Sequence, residues 1–477
     1  MTRSFPFFAS LLLASSTLAI SAQDATTFSL TYGYPLLAFE KVALPLASAV
    51  GPNAFNHGRR LQTAEDKEVV RPNVDTLYST AVFDLSRHDL ILNTPAIPAS
   101  QYVLFSFYDL YGNNFANFGT NSTLKSGNHS LKLAEAARAS HVATEANDYD
   151  SEQSRKLATP GTFGIVLVRW LIEQDNLDSI HAWQNGTHLQ PIARENSIMD
   201  RPAFQDVKWS SPNGTSAAEQ VLETLAQVYR SNPPIETWDR ESIEVNLNAA
   251  GIVNGTYTLQ PDVNINAALT MALLRAVAAF KSSLEQQNDG WFTVDNHLAG
   301  NFSANYPLRA AVAASSYLML AVSEAIYPDW RGESTDSSSS AAALSISANE
   351  SYLYTFSAKP PIFGMGFWSL TAYGEDNYLI ANELEVYALG DRSNLTYPSG
   401  IQVYGKTKEN KGMFQILVQA ADVRPPSNWT DNWLPGPAGG GAMTVLLRWY
   451  GGGKELIDGS YRYPTVTKIE SLRQSER

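Results

Sequence analysis

Residues 71–85 read Arg-Pro-Asn-Val-Asp-Thr-Leu-Tyr-Ser-Thr-Ala-Val-Phe-Asp-Leu, a turn that runs straight into a strand. Asn73 can bond the backbone two residues on, which closes the turn. In the strand that follows, Thr76 and Tyr78 share one face. Tyr102–Tyr108 (YVLFSFY) and Thr162–Ile172 (TFGIVLVRWLI) have the same β-branched and aromatic make-up. Pro95, Pro98, Gly112 and the pair Pro160-Gly161 punctuate them. Short strands between such turn signals predict a β-sandwich over residues 28–210.

Ahead of the sandwich, Phe28–Val50 carries apolar groups at helical spacing, broken by Pro35 and Pro45, and predicts a short kinked helix. Further upstream, Arg3 precedes an apolar run from Phe5 to Ile20, and small residues follow at Ser21 and Ala22. That layout is a secretory signal peptide over residues 1–22. Pro6, Ser10, Ser15, Ser16 and Thr17 interrupt the run, so it is a poor membrane span. Asn-x-Ser/Thr acceptors at Asn121, Asn128, Asn185, Asn213, Asn254, Asn301, Asn349, Asn394 and Asn428 fit a secreted eukaryotic-type glycoprotein.

Downstream the period changes to that of helices. Ser216–Arg230 begins with a capping box of Ser216 and Glu219. Ile265–Gln287 follows Asn264, a cap residue, and Tyr306–Ile326 has Pro307 in its first turn. These make a helical domain over residues 211–332. Glu333–Ser340 (ESTDSSSS) is a polar linker. Strand patterns return at Tyr352–Phe356, Phe367–Tyr373, Glu385–Leu389, Gln402–Tyr404, Phe414–Gln419 and Thr444–Tyr450, and predict a C-terminal jelly roll over 341–465 with a tail at 466–477. The fold class expected is therefore multi-domain and mainly β with a helical middle.

The chain of 477 residues contains no cysteine, which removes thiol nucleophiles, thiolate metal sites and disulfides. A net charge of −13 without a basic cluster argues against nucleic-acid partners. Ala267–Phe280 is the most apolar later segment, but Arg275 interrupts it, so no membrane span is expected. The seven histidines are scattered, without zinc spacing. No nucleophile elbow or dinucleotide fingerprint occurs, so no cofactor is implied.

Several positions can carry chemistry. Asp75 can act as acid or base beside Tyr78, with Asn73 and Thr76 binding substrate; the plainer reading is a turn whose Asp accepts backbone hydrogen bonds. Tyr108-Asp109-Leu110-Tyr111-Gly112-Asn113-Asn114 leaves the second strand, where binding residues often stand, or forms a hydrogen-bonded turn around Gly112. His57 can pair with Asp75 or Asp109 as general base, or lie in a surface loop. Trp368 can wall an apolar or sugar-binding cleft, or belong to the core. Asn432-Trp433-Leu434-Pro435-Gly436-Pro437 is stiff and is followed by glycines. Arg448 and Tyr450 can bind a carboxylate or satisfy buried carbonyls.

RPNVDTLYS, FDLS and FYDLYGNNFANFG resemble the N-terminal half of a widespread tandem, domain of unknown function 1254. PPIFGMGFWSLTAYGEDNYLIANELEVYALGD and NWLPGPAGGGAMTVLLRWYG resemble its C-terminal partner, domain of unknown function 1214. The resemblance covers about residues 30 to 452. It implies an immunoglobulin-like sandwich, a small helical domain and a jelly roll. It also marks Asn73, Asp75, Thr76, Tyr78, Trp368, Thr371, Tyr373, Asn432, Trp433, Pro435 and Arg448 as characteristic positions. The serine- and alanine-rich Ser334–Ser347 departs from the family's Asp/Gly-rich turn.

The leading expectation is a secreted, cofactor-independent acid–base enzyme of hydrolase or isomerase type. Its small organic substrate would sit in a cleft between the terminal domains, and a place in specialised metabolism goes with that reading. Asp75, Asp109, Tyr78, Tyr108 and His57 are the catalytic candidates. Asn73, Thr76, Asn114, Trp368, Tyr373, Trp433 and Arg448 are the binding candidates. The alternatives are a non-catalytic carbohydrate- or small-molecule-binding glycoprotein and a structural surface glycoprotein. A homo-oligomer is compatible with each.

Overall fold

The computed structural model describes residues 20–67, 71–122, 126–134, 156–173, 176–194, 201–209, 216–332, 344–405 and 412–474. Most of the predicted signal segment, all of the 333–340 linker and Asn213 lie outside the described residues.

In chain order the first strands are β1 (Asn56–His57), β2 (Thr76–Asp84), β3 (His88–Thr94), β4 (Val103–Asp109), β5 (Asn114–Gly119), β6 (Gly127–Leu133), β7 (Lys156–Thr159), β8 (Phe163–Leu171) and β9 (His188–Ala193). They form a five-stranded sheet ordered β1-β2-β8-β4-β5 and a four-stranded sheet ordered β7-β6-β3-β9. Alternation explains why the sheets face each other. Leu77, Ala81 and Phe83 of β2, Phe105 and Phe107 of β4, and Val166, Val168 and Trp170 of β8 all point inward. They meet Leu90, Leu131, Leu157 and Leu189 of the second sheet in one core. Each fully buried large apolar group contributes about 1.5–3 kcal/mol. The inner faces therefore hold this region together and leave the outer face of β2, β4 and β8 free for other residue types.

One end of that outer face is covered by helices. The expected kinked helix over 28–50 is two helices, Ala22–Gly33 and Pro35–Val50, with Pro35 opening the second. Helix Ala217–Val228 has the expected Ser216–Glu219 capping box, and Asn264 caps Ile265–Ser282. The third expected helix stops early and spans only Tyr306–Ser315. Tyr317 and Leu318 have φ of 21° and 60°, which ends the helix. Tyr317 turns away to donate its hydroxyl to the Leu110 carbonyl, 3.2 Å off. Its ring occupies the space a Cβ at Gly112 would need, 2.7 Å away. A tertiary contact thus overrides local helix preference.

The C-terminal region again has two sheets. One runs Ala325–Ile326, Gly440–Gly452, Ile362–Gly374, Ala388–Gly390, with Leu344–Ser347 also pairing Gly440–Gly452. The other runs Trp433–Gly436, Phe414–Ala420, Glu350–Phe356, Thr465–Glu470. Their shared core includes Tyr354, Phe356, Trp368, Leu370, Leu447 and Trp449. Of the expected strands, Gln402–Tyr404 is reduced to an isolated bridge at Gln402. The chain is thus a multi-domain protein of mixed α and β content with several sheets and a helical middle.

Candidate functional site

The outer face of the first sheet and one face of strand Ile362–Gly374 meet at an interface, and most of the candidate polar residues lie there. Register sets the rows. Tyr78 stands opposite Arg169, and Arg169 opposite Leu104. Across the interface Phe367 pairs with Tyr450, Ser369 with Arg448 and Tyr373 with Thr444. Trp368 and Trp449 alternate to the other side, into the C-terminal core.

The Arg71–Thr76 turn is pinned to the C-terminal sheet. Asn73 Oδ1 accepts the backbone N–H of Asp75 at 2.6 Å and of Thr76 at 3.2 Å, the turn its sequence predicts. Asn73 Nδ2 donates to the Tyr450 hydroxyl at 2.9 Å. Tyr373 donates its hydroxyl to the Pro72 carbonyl at 2.7 Å. Arg448 donates to the Arg71 carbonyl at 3.0 Å and to Thr371 Oγ1 at 3.3 Å. Asp75 accepts the Ser369 hydroxyl at 2.6 Å and pairs with Arg392 through its other oxygen. Arg392 also holds Asp391 at 2.9 Å and lies over the Phe367 ring at 4.6 Å. Asp75 is therefore a structural clasp between the terminal regions. Asp75→Ala leaves Arg392 without its buried partner. Arg392 is about a quarter exposed, so water screens part of the loss, and the expected cost is about 2–3 kcal/mol in denaturant unfolding. A midpoint unchanged from the parent would show that the clasp adds nothing.

Beside the clasp lies a different group. Arg169 is 4% exposed and donates one hydrogen bond, from Nη1 to Ser106 Oγ at 3.2 Å. Its Nε has no partner. Its guanidinium lies 5.7 Å from the Tyr78 ring centroid. The hydroxyls of Tyr108, Tyr102 and Thr76 are likewise buried without partners. Tyr450 closes the group, stacked on Phe367 at 4.4 Å and edge-on to Tyr327 at 6.2 Å. Burial raises the Tyr78 phenol and pushes that of Tyr108 up to about 12, although Arg169 works against both shifts. Both phenols stay protonated and can donate. Glu324 is half-buried, and burial raises its carboxyl, with Ser323 and Arg169 opposing. It lines a hollow of about 230 Å³ with Asn121, Phe363, Gly451 and Lys454. Gly451 has φ of 66°, and a Cβ there would meet Asn121 Nδ2 at 2.7 Å, so only glycine fits this wall.

Other candidates lie elsewhere. Asp109 faces Gly164 on β8, whereas the Asp75 carbonyl takes the N–H of Ile172. Eight residues of strand separate these positions, roughly 27 Å. Asp109 accepts Tyr111 N and Asn113 N at 2.9 Å each and Asn113 Nδ2 at 2.7 Å, the turn of the plainer reading. His57 sits on β1, 2.7 Å from Ser79 Oγ, and burial with nearby Arg59 lowers it to about 4. It meets neither aspartate. Asn114 accepts Ala321 N at 3.0 Å and Asn117 Nδ2 at 2.6 Å. Trp368 donates to the Tyr404 hydroxyl at 2.7 Å, and Trp433, in the sheet away from the interface, donates to the Gln419 carbonyl at 3.3 Å. The two indoles do not wall a common cleft. Among the described residues no cluster of three His, Asp or Glu could hold a metal.

DUF1254, a protein family of unknown function, matches residues 52–191, and DUF1214, likewise of unknown function, matches residues 333–454. The chain is a DUF1254–DUF1214 tandem protein. The crystal structure of the VPA0106 protein from Vibrio parahaemolyticus is similar to it at 15% identity, covering 94% of this chain and 100% of that one with a TM-score of 0.61. An uncharacterised protein from Burkholderia cenocepacia aligns over 94% of each chain at 10% identity, with a TM-score of 0.43. No curated protein matches the sequence. The first likeness shows the fold of the tandem.

Sequence reading found Asn73, Asp75, Thr76, Tyr78, Tyr108, Tyr373 and Arg448, which the interface gathers. It missed Arg169, Tyr102, Tyr327, Glu324, Ser369 and Arg392. Arg169 had a signal: it is the one charge in Thr162–Ile172, on the same face as Leu167 and Leu171. A guanidinium in such an apolar row requires polar partners from outside its own sheet.

Proposed function

We propose that the DUF1254–DUF1214 tandem houses an acid–base enzyme, of hydrolase or isomerase type, whose small organic substrate binds at the interdomain Tyr–Arg cluster. One observation carries this reading. Arg169 Nε and the hydroxyls of Thr76, Tyr102 and Tyr108 are four unpartnered buried polar atoms at one interface. Each such atom costs about 1–3 kcal/mol unless a partner arrives. A fold that gathers four of them at one interface suits a polar ligand, and Glu324, which acts on Arg169 and Tyr102, also lines the hollow. Tyr108 and Tyr78 donate protons or hydrogen bonds, and Glu324 at the hollow's edge takes or gives the proton. Asp75, neutralised by Arg392, positions the turn that carries Thr76.

A sugar-binding face needs exposed rings, and Trp368 and Trp433 are both buried. The facing sheets of each terminal region support reading them as an immunoglobulin-like sandwich and a jelly roll. Secretion rests on the Phe5–Ile20 run. Asn128, Asn185, Asn254, Asn349, Asn394 and Asn428 are exposed and suited to glycans. Asn121 donates its amide to the Phe363 carbonyl at 3.3 Å. Glycopeptide mass mapping of the chain from a eukaryotic secretory host should find those six occupied and Asn121 bare; a glycan on Asn121 would show that this contact forms after glycosylation or not at all.

Catalysis is tested with purified chain in D₂O and a panel of 2-oxo acids, hydroxy acids and lactones, followed by proton NMR. The expected result is enzyme-dependent exchange, isomerisation or ring opening for at least one compound. A chain inert towards the whole panel would overturn the assignment.

A further inference from the structure

Resting on the site proposed above, we infer that its substrate carries a carboxylate, which docks on Arg169 between Tyr78 and Tyr108. The argument is one of charge. The carboxylates of Asp75 and Asp391 are both bonded to Arg392. Asp329 is bonded to Arg331 at 2.9 Å. Arg448 spends its bonds on the Thr371 hydroxyl and the Arg71 carbonyl, both neutral. The groups around Arg169 that bond or face it, Ser106 and the Tyr78 and Tyr108 phenols, are all neutral. Among the described residues, then, Arg169 forms no ion pair, in a chain whose net charge is −13. A buried guanidinium without an anion is costly, and a bound anion removes that cost.

The donor set selects the kind of anion. Arg169 offers Nε and what remains of its fork, and the fork suits a planar two-oxygen acceptor. The buried Tyr108 hydroxyl, which is unpartnered, and the Tyr78 phenol are the neutral donors beside it. A single charge with neutral donors suits a monoanionic carboxylate. A phosphate dianion needs a second cation, and the neighbouring Arg448 is already engaged with the Arg71 turn. Glu324 lines the hollow and acts on Arg169 through space, but among the described residues it forms no ion pair with it.

Isothermal titration with propionate, benzoate and succinate, each against its uncharged amide and against inorganic phosphate, tests the assignment on the full chain. The carboxylates should bind about a hundredfold more tightly than the amides. Arg169→Met should abolish that preference without lowering the melting temperature, because it removes an uncompensated buried charge. Arg169→Lys should retain part of the preference. Equal binding of acid and amide, phosphate binding as tight as carboxylate, or an Arg169→Met variant that binds like the parent would each overturn the inference. Turnover of the NMR panel without carboxylate preference sinks this inference and leaves the enzyme reading standing. Carboxylate binding without turnover does the reverse.

Discussion

Glu324→Gln is expected to lower turnover of any compound that the tandem converts by roughly 10²–10⁴-fold, the usual worth of a positioned general acid or base. Gln keeps the size and polarity of the side chain but cannot carry the proton. The fold should not suffer, because Glu324 holds the neighbouring strand through its backbone: its carbonyl accepts Gly451 N–H at 2.9 Å. The melting temperature and the affinity for carboxylates should therefore stay at the parent's values while the rate falls. Burial raises the Glu324 carboxyl. The parent's rate should accordingly have a pH limb above the ordinary glutamate range, and the variant should lack it. A variant with parental turnover would assign the proton to another group. A variant that loses rate, affinity and melting temperature together would make Glu324 a structural residue.

The parts of the fold visible in the sequence were those set by local chemistry. Thr76–Asp84, Val103–Asp109 and Phe163–Leu171 form because their alternation and β-branched content leave no other way to bury them. The Asn73 turn and the Ser216 cap follow from side chains that bond their own backbone. Strands such as His88–Thr94 and Gly127–Leu133 were missed, because polar His88, Asp89, Asn128 and His129 mask the alternation of Leu90, Leu92 and Leu131. Site residues followed the same division. The Arg71–Tyr78 segment stood out because its polar groups are contiguous. Ser369, Arg392, Tyr327 and Glu324 each sit in unremarkable local sequence and gain meaning only when strand pairing brings them across the interface. The two aspartates that looked alike in sequence illustrate the limit. Asp75 precedes and Asp109 ends a strand of the same sheet, yet they occupy opposite ends of it, and nothing local to either records which end that is.

Glu40→Gln is expected to stabilise the helical region above neutral pH and to change nothing in acid. Glu40 is 5% exposed, on helix Pro35–Val50 where it packs against helix Ala217–Val228. Burial pushes its carboxyl up to about 7, although Gln220 and Thr224 donate to it and pull the other way. A carboxyl raised on folding binds its proton more tightly in the native chain than in the unfolded one. Stability is then fully present below the unfolded value of about 4.5 and declines as pH rises towards 7, where it levels off. The loss between those limits is about 3 kcal/mol. Gln cannot ionise, so the variant escapes it. The hydrogen bonds survive the change: Gln at this position still accepts from Gln220 through its oxygen, and the Thr224 hydroxyl rotates to accept from its amide. Urea unfolding followed at pH 5 and at pH 8 checks both limits. The parent should weaken between the two while Glu40→Gln keeps its midpoint, with the curves close together at pH 5. A parent at least as stable at pH 8 as at pH 5, or a variant that weakens in parallel with it, would mean that Glu40 ionises in the folded chain without cost, and that water or an unassigned cation reaches the interface between the two helices.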